Sequence, residues 1–493
     1  MVSRREFLAG AAAVTAGQAW AAPPEISPRP FLRPDAIGLR RFPSVEGLVA
    51  EAALGGRVSA LAADAHTGEV LEVYNPVLPM PPASTAKAMT ALYALDKLGA
   101  GHRFRSQIQA DGVIENGRLR GDLYLIGSGD PVLDTDKIND MARALRATGL
   151  REVTGRLKVV STALPYIYEI DSSQPDHVGY NPAISGLNLN FNRVHFEWLR
   201  EAGDYTVRMD ARSERIRPGV TRQRMRVADR DAPVYTYDAA EGRENWTVAR
   251  AALGNGGSRW LPVRDPALYA AEVFQILARS HGIVLDGPDI AAIAPPDGLV
   301  MVDQTSPPLD EITRDMLRWS TNLTAETLGL TASIASGAQP ETLTQSAGMM
   351  SDWMVQRLGA RRPAFVDHSG LGPDSRITAA DMVRCLIAAG PEGALRGLMR
   401  NHVMRDADGT EVSDHPVQVS AKTGTLNFVS ALAGYAQAPT GRVIAFAVFC
   451  ADLPRREALN PDEVERPQGG RSYSRRARRL QQSLIERWAG VYG

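Results

Sequence analysis

The sequence predicts an α+β protein whose main domain is interrupted by a long β-rich excursion, and three observations carry that expectation. Val58 to Tyr74 reads as two short strands around a His66-Thr67-Gly68 turn, while Val417 to Ser420, Phe428 to Tyr435 and Val443 to Phe449 read as strands near the other end of the chain. From about Arg103 to Pro295 the texture changes to short alternating runs punctuated by glycine, such as Leu123 to Ile126 and Leu157 to Val160. After Pro295 the helical spacing of apolar residues returns. The N-terminal hairpin and the late strands are therefore expected to share one sheet, with the excursion set apart from it.

Taken in order, the chain opens with MVSRREFLAGAAAVTAGQAWAA. Arg4-Arg5 followed by Phe7-Leu8, an alanine-rich apolar stretch and Ala19-Trp20-Ala21 as a small-x-small cleavage site read as a signal peptide of the twin-arginine type, residues 1–22. The apolar stretch is too short to span a bilayer, and no later segment approaches 18 uninterrupted apolar residues. An exported, periplasmic protein without a transmembrane anchor is expected. A proline-rich lead-in follows, and after the hairpin a Pro-Pro-Ala approach brings Ser84 to the start of a helix. That helix has Met89, Leu92, Leu95 and Leu98 on one face and Gly99 as its stop.

Within the excursion one helix is clear, opened by Asp265-Pro266 and ending near Gly282. The arginine-rich stretch from about Arg193 to Arg259 has little periodicity and reads as an insertion within the insertion. Beyond Pro295, helices are expected over Leu309 to Leu330, Ala347 to Leu358 and Thr378 to Ala389, the last with a Thr378-x-x-Asp381 capping box. A final amphipathic helix carries Ala477, Leu480, Leu484 and Trp488. The expected division is a main domain of residues 44–102 and 296–493, an inserted domain of 103–192 and 260–295, and a smaller domain of 193–259 nested inside it.

Composition excludes more than it selects. With 44% apolar and 23% charged residues the chain is an ordinary globular one, and a formal net charge of −1 gives no general attraction to nucleic acid. Of 55 basic residues only Lys87, Lys97, Lys137, Lys158 and Lys422 are lysines. Arginine stays charged, so only these five can accept a proton near neutral pH. Two of them fall in the motifs below. Cys385 and Cys450 both sit in apolar patterns and are expected as buried free thiols rather than a bridge.

Three short motifs carry chemistry. In Ser84-Thr85-Ala86-Lys87, helical spacing puts the lysine amine one turn from the serine hydroxyl, within reach of its proton. In Ser320-Thr321-Asn322 a second hydroxyl can relay a proton while an amide holds lysine and substrate backbone. In Lys422-Thr423-Gly424-Thr425, on an expected edge strand, an ammonium and a hydroxyl face a substrate carboxylate and glycine leaves room beside the backbone. Gly127-x-Gly129 has no third glycine and meets Pro131 where a helix should start, so no dinucleotide cofactor is expected. The eight histidines show no metal-ligand spacing, so no metal is expected either.

This set, in this order, resembles the serine penicillin-recognising enzymes with their S-x-x-K, S-x-N and K-T-G motifs. The long separation of Lys87 from Ser320 is similar to that of the three-domain D-alanyl-D-alanine carboxypeptidase/endopeptidase family, the class C low-molecular-mass penicillin-binding proteins. Gly121-Asp122-Leu123-Tyr124-Leu125, Gly127-Ser128-Gly129-Asp130-Pro131, Leu187-Asn188-Leu189-Asn190 and Asp367-His368-Ser369-Gly370-Leu371 resemble that family too. The resemblance implies a penicillin-binding/β-lactamase-like domain, an antiparallel sheet flanked by helices with inserted β-rich domains. It implies Ser84, Lys87 and Ser320 as catalytic residues and Asn322, Lys422, Thr423, Gly424 and Thr425 as substrate-binding ones. It further implies peptidoglycan stem peptides as substrate, hydrolysed at D-Ala-D-Ala and related D,D bonds as a carboxypeptidase/endopeptidase, and β-lactam antibiotics as covalent inhibitors. A β-lactamase and a non-catalytic peptidoglycan-binding protein are the alternatives. His368 departs from the family's usual glycine and is expected as a surface turn residue. Asp171 and Asp176, on an expected solvated loop, are candidates for meeting an amino group of the third stem residue.

Overall fold

The computed structural model describes residues 42–406, 410–460, 465 and 467–493; the expected signal peptide and most of the lead-in lie outside them. Helix α1 (Val45–Ala52) starts at Ser44, whose hydroxyl accepts a hydrogen bond from Gly47 N. β1 (Arg57–Asp64) and β2 (Val70–Tyr74) form the expected antiparallel hairpin, and α2 (Ala86–Leu98) follows.

The excursion then runs through β3 (Arg105–Glu115), β4 (Arg118–Ile126), α3 (Thr135–Ala147) and β5 (Glu152–Val160). Next come β6 (Arg193–Glu201), β7 (Asp204–Asp210), β8 (Gln223–Ala228), β9 (Tyr235–Ala240), β10 (Arg243–Ala249) and β11 (Gly256–Pro262). It closes with α4 (Pro266–Ser280), β12 (Val284–Ala291) and β13 (Leu299–Thr305). These strands make a five-stranded sheet in the order β12-β5-β4-β3-β13 and two three-stranded sheets, β11-β6-β7 and β8-β10-β9.

The helices α5 (Leu309–Trp319), α6 (Asn322–Ala335), α7 (Leu343–Leu358), α8 (Ala379–Ala389) and α9 (Ala394–Leu398) come next. They are followed by β14 (Arg400–Asn401), β15 (Gln418–Leu426), β16 (Val429–Gln437), β17 (Val443–Ala451), α10 (Leu453–Glu457) and α11 (Gly470–Tyr492). The late strands and the first hairpin form one antiparallel sheet, β14-β15-β16-β17-β1-β2.

Alternation along β17 shows why that sheet takes helices on both faces. Val443, Ala445, Ala447, Phe449 and Ala451 join a core with Met89 of α2, Met316 of α5, Leu328 of α6 and Met382 of α8. Ile444, Phe446, Val448 and Cys450 point the other way, to Leu48 of α1 and Tyr473, Leu484 and Trp488 of α11. Alanines on the first face let α8 approach closely, and each large side chain buried on the second contributes about 1.5–3 kcal/mol. Cys385 and Cys450 are buried free thiols.

The structure departs from the sequence reading in four places. The helix expected over Leu309 to Leu330 is broken at Ser320, which adopts a left-handed conformation (φ 60°, ψ 37°) that ends α5. The excursion holds a second helix, α3, capped by Asp134 and presenting Ile138, Met141, Ala142 and Leu145 to the core. Its four apolar positions are scattered among charged residues, which hides the period. The sheet of the excursion reaches beyond Pro295, because β13 pairs with β3. In the Thr378 capping box only half forms: Thr378 accepts from Asp381 N, while the Asp381 carboxylate accepts from Arg361 N and Arg362 N.

Candidate active site

Along Met80 to Ala91 every side chain is buried except Ser84. The serine sits on a tight 3-10 turn, Ala83–Thr85, that runs straight into α2. The turn is gripped by two glycine backbones. A Cβ on Gly370, itself at φ +74°, would stand 2.0 Å from the Ala83 carbonyl oxygen. A Cβ on Gly424 would stand 2.8 Å from the Pro82 carbonyl oxygen and 2.9 Å from Ser84 N. Gly424 therefore makes room for the turn that carries Ser84.

One helical turn on, Lys87 is fully buried and donates to Ser84 Oγ (3.0 Å), Asn322 Oδ1 (2.7 Å) and the Ser369 carbonyl (2.9 Å). Burial lowers its pKa, and the carboxylates of Glu326 and Asp367 oppose that shift. Opposite, Lys422 donates to Ser320 Oγ (2.9 Å) and the Thr423 carbonyl (2.8 Å). Its pKa is lowered to about 7, first by burial, then by the charges of Lys87 and Arg400.

Alternation along β15 buries Lys422 and Gly424 and exposes Thr423 and Thr425. Thr425 lines the groove that opens on Ser84, with Ser320 and Asn322; Thr423 does not line it. β14 pairs only with Ser420 and Ala421, so the edge of β15 from Lys422 onward is left without a neighbouring strand among the described residues.

The excursion reaches this site through one loop. Asn322 Nδ2 donates to the Tyr180 carbonyl (2.9 Å), and Ser173, Gln174 and Tyr180 line the groove, whose volume is about 2040 Å³. Buried Arg264 pins the loop by donating to the carbonyls of Tyr168 (3.0 Å), Asn181 (2.9 Å) and Asp176 (3.2 Å). Asp171 is buried and spent inside the loop on Ser173 and Gln174, which corrects its expected place on a solvated loop. Asp176 is exposed and outside the groove lining.

Two acidic residues were missed as partners of the site. Glu326 is fully buried and accepts from His368 N (2.9 Å) and Ser369 N (2.8 Å). Burial and the neighbouring Asp367 hold its carboxyl well above the ordinary range. Asp367 accepts from Gly370 N (2.9 Å) and Gly372 N (2.5 Å), and burial raises its pKa as well. The signal was present: Glu326 lies four residues past Asn322, one turn along the same helix.

His368 is no surface turn residue. Its ring is fully buried, bonded to Ser346 Oγ (2.8 Å) and stacked on Tyr93, and it fills the space a side chain at Gly329 would need. Burial lowers its pKa to about 3. Among the described residues His195, Glu197 and Asp210 form one group with metal-ligand spacing, but Arg212 already bonds both carboxylates, which leaves little charge for a cation.

Sheet, flanking helices and the serine-lysine pair at a groove define the penicillin-binding, β-lactamase-like class of serine hydrolases. The sequence model of the D-Ala-D-Ala carboxypeptidase 3 (S13) family matches residues 43–466, and the chain belongs to that family. It is 28% identical over 468 residues to a D-alanyl-D-alanine carboxypeptidase of Actinomadura sp. (strain R39), covering 82% of this chain and 79% of that protein. It is 25% identical over 418 residues to the D-alanyl-D-alanine carboxypeptidase DacB of Haemophilus influenzae, covering 80% and 85%. The crystal structure of penicillin binding protein 4 from Haemophilus influenzae superposes with a TM-score of 0.69 at 21% identity, covering 90% of this chain and all of that one. The chain is thus a serine-type D-Ala-D-Ala carboxypeptidase.

Proposed function

We propose that Ser84 attacks the carbonyl between two D-alanines at the end of a peptidoglycan stem peptide, forming an acyl-enzyme that water then hydrolyses. The observation that carries this reading is the 3.0 Å contact of Lys87 Nζ with Ser84 Oγ inside a buried pocket. In its neutral form, favoured by burial, Lys87 takes the serine proton as the C–O bond forms. The oxyanion is held by the backbone N–H groups of Ser84 and Thr425. Ser320, bonded to Lys422, passes a proton to the departing amine, whose release as D-alanine breaks the C–N bond. Asn322 orients Lys87 and the peptide backbone. Lys422 faces the terminal carboxylate, Thr425 adds its hydroxyl, and Gly424 acts by admitting the Ser84 turn.

A β-lactam presents a strained acyl bond to the same serine with its leaving amine tethered, so it remains as a covalent inhibitor. We further read residues 103–192 and 260–295 as an inserted domain and 193–259 as a smaller one within it, supported by sheets separate from that of Lys422. The working place is the periplasm, reached by the twin-arginine route, on the strength of Arg4-Arg5 and the apolar stretch after them. No helix among the described residues is long and apolar enough to cross a membrane. Fluorescent penicillin should label the mature protein at Ser84 and leave Ser84→Ala unlabelled, and mass spectrometry of digested peptidoglycan should show loss of terminal D-alanine. Covalent labelling that persists in Ser84→Ala would overturn the assignment.

A further inference from the structure

The groove that opens on Ser84 continues past Thr425, Leu426 and Asn427 to the N-terminal half of α11. There Arg471, Arg475 and Arg478 follow at helical intervals, and Arg476 and Arg479 line the adjoining stripe. All five are exposed, whereas Tyr473, Ala477, Leu480 and Leu484 bury the opposite face against the sheet. None of the five takes part in an ion pair among the described residues. Of the acids that line the groove, Glu465 is engaged with Arg259 and His177, Glu486 with Gln482 and His415, and Asp406 with Thr410 N, while among the described residues Glu457 of α10 pairs with none of the five arginines.

This arrangement does not serve the helix. Like charges at i,i+4, as in Arg471/Arg475 and Arg475/Arg479, repel. Cations in the first turns also oppose the helix dipole, which favours anions there. Five unpaired guanidiniums kept at that cost, on the wall of the groove that holds the nucleophile, point to an anionic partner that arrives with the substrate. A guanidinium fork matches a carboxylate, and stem peptides carry free carboxylates at each repeat along a glycan strand.

We propose that this arginine face is a docking surface for the carboxylates of the peptidoglycan strand whose D-Ala-D-Ala end occupies the site, an inference that rests on the substrate reading above. It gives the enzyme a grip on polymer that short peptides do not use. The test is co-sedimentation of full-length Ser84→Ala protein with insoluble purified peptidoglycan, with and without the triple change Arg475→Ser, Arg478→Ser and Arg479→Ser. Exposed pairs of this kind are individually weak, so the triple change is expected to weaken binding about tenfold. Binding should also fall with added salt and on amidation of the peptidoglycan carboxylates. In a Ser84 background the same triple change should leave hydrolysis of a capped tripeptide ending in D-Ala-D-Ala within about twofold of wild type.

Equal sedimentation of the two proteins, unchanged binding to amidated peptidoglycan, or an equal loss on the capped tripeptide would each overturn the proposal. So would loss of binding to phosphatidylglycerol vesicles alone, which would assign the face to a lipid surface. Absence of penicillin labelling in the wild type would instead overturn the substrate reading, while sedimentation still reports on the arginines.

Discussion

Lys87 Nζ donates to the carbonyl oxygen of Ser369 across 2.9 Å, and the N–H of that same Ser369 is held 2.8 Å from Glu326. The peptide segment that fixes the amine is thus itself fixed by a buried carboxylate. That carboxylate also favours the charged form of Lys87. Glu326→Gln should therefore slow acylation and move the rising, acid limb of its pH profile to lower pH, because one opposing charge is gone. Acylation by fluorescent penicillin from pH 5 to 10 checks this. A slower rate with the limb unmoved would reduce Glu326 to a packing role.

Lys87→Arg should be nearly as inactive as Lys87→Ala, since arginine keeps the charge and cannot accept the serine proton. Lys422→Arg should retain part of its activity, because that position faces a carboxylate. Penicillin acylation and D-alanine release compare the two series. A nearly normal Lys87→Arg enzyme would mean that another group takes the proton.

Gly424→Ala should cripple acylation with a modest effect on folding. The new methyl falls 2.9 Å from Ser84 N and 2.8 Å from the Pro82 carbonyl oxygen, and the turn can only move away. A shift of about 1 Å at the nucleophile costs roughly 100-fold in rate. Acylation kinetics beside a thermal melt separate the two effects.

His368 gives the fold a dependence on acid. Its pKa is about 3 when folded against an ordinary 6.5, so the unfolded chain binds a proton between those values that the folded chain refuses. Its contribution is complete above pH 6.5 and is lost as pH falls toward 3, by about 1.4 kcal/mol per pH unit. Glu326 and Asp367 have raised values and tilt the curve the other way. The comparison must therefore be made with His368→Gln, whose unfolding free energy in urea should fall less steeply from pH 6.5 to 4.

Much of this was legible in the residue order. Ser84-x-x-Lys87 carries its geometry in its spacing, and β17 reads as a strand because nine consecutive apolar residues leave it few alternatives. What the order hid depends on contacts between distant segments. The break at Ser320 interrupts a continuous apolar period, and there Ser320 Oγ accepts a hydrogen bond from Lys422 of a distant strand. His368 looks polar and turn-like until the missing side chain of Gly329 makes a berth for it. Asp171 looks available until Ser173 and Gln174 fold back onto it.

The place of β1 between β2 and β17 also sets an order of events during translation. The first hairpin leaves the ribosome early, yet one side of β1 stays unfilled until Val443–Ala451 has been made. The five-stranded sheet of the excursion is complete at Thr305, so the middle of the molecule can close long before its ends meet. A fragment ending at Gly441 would contain Ser84, Lys87, Ser320, Asn322 and Lys422, and would still lack the strand that joins the first hairpin to β16.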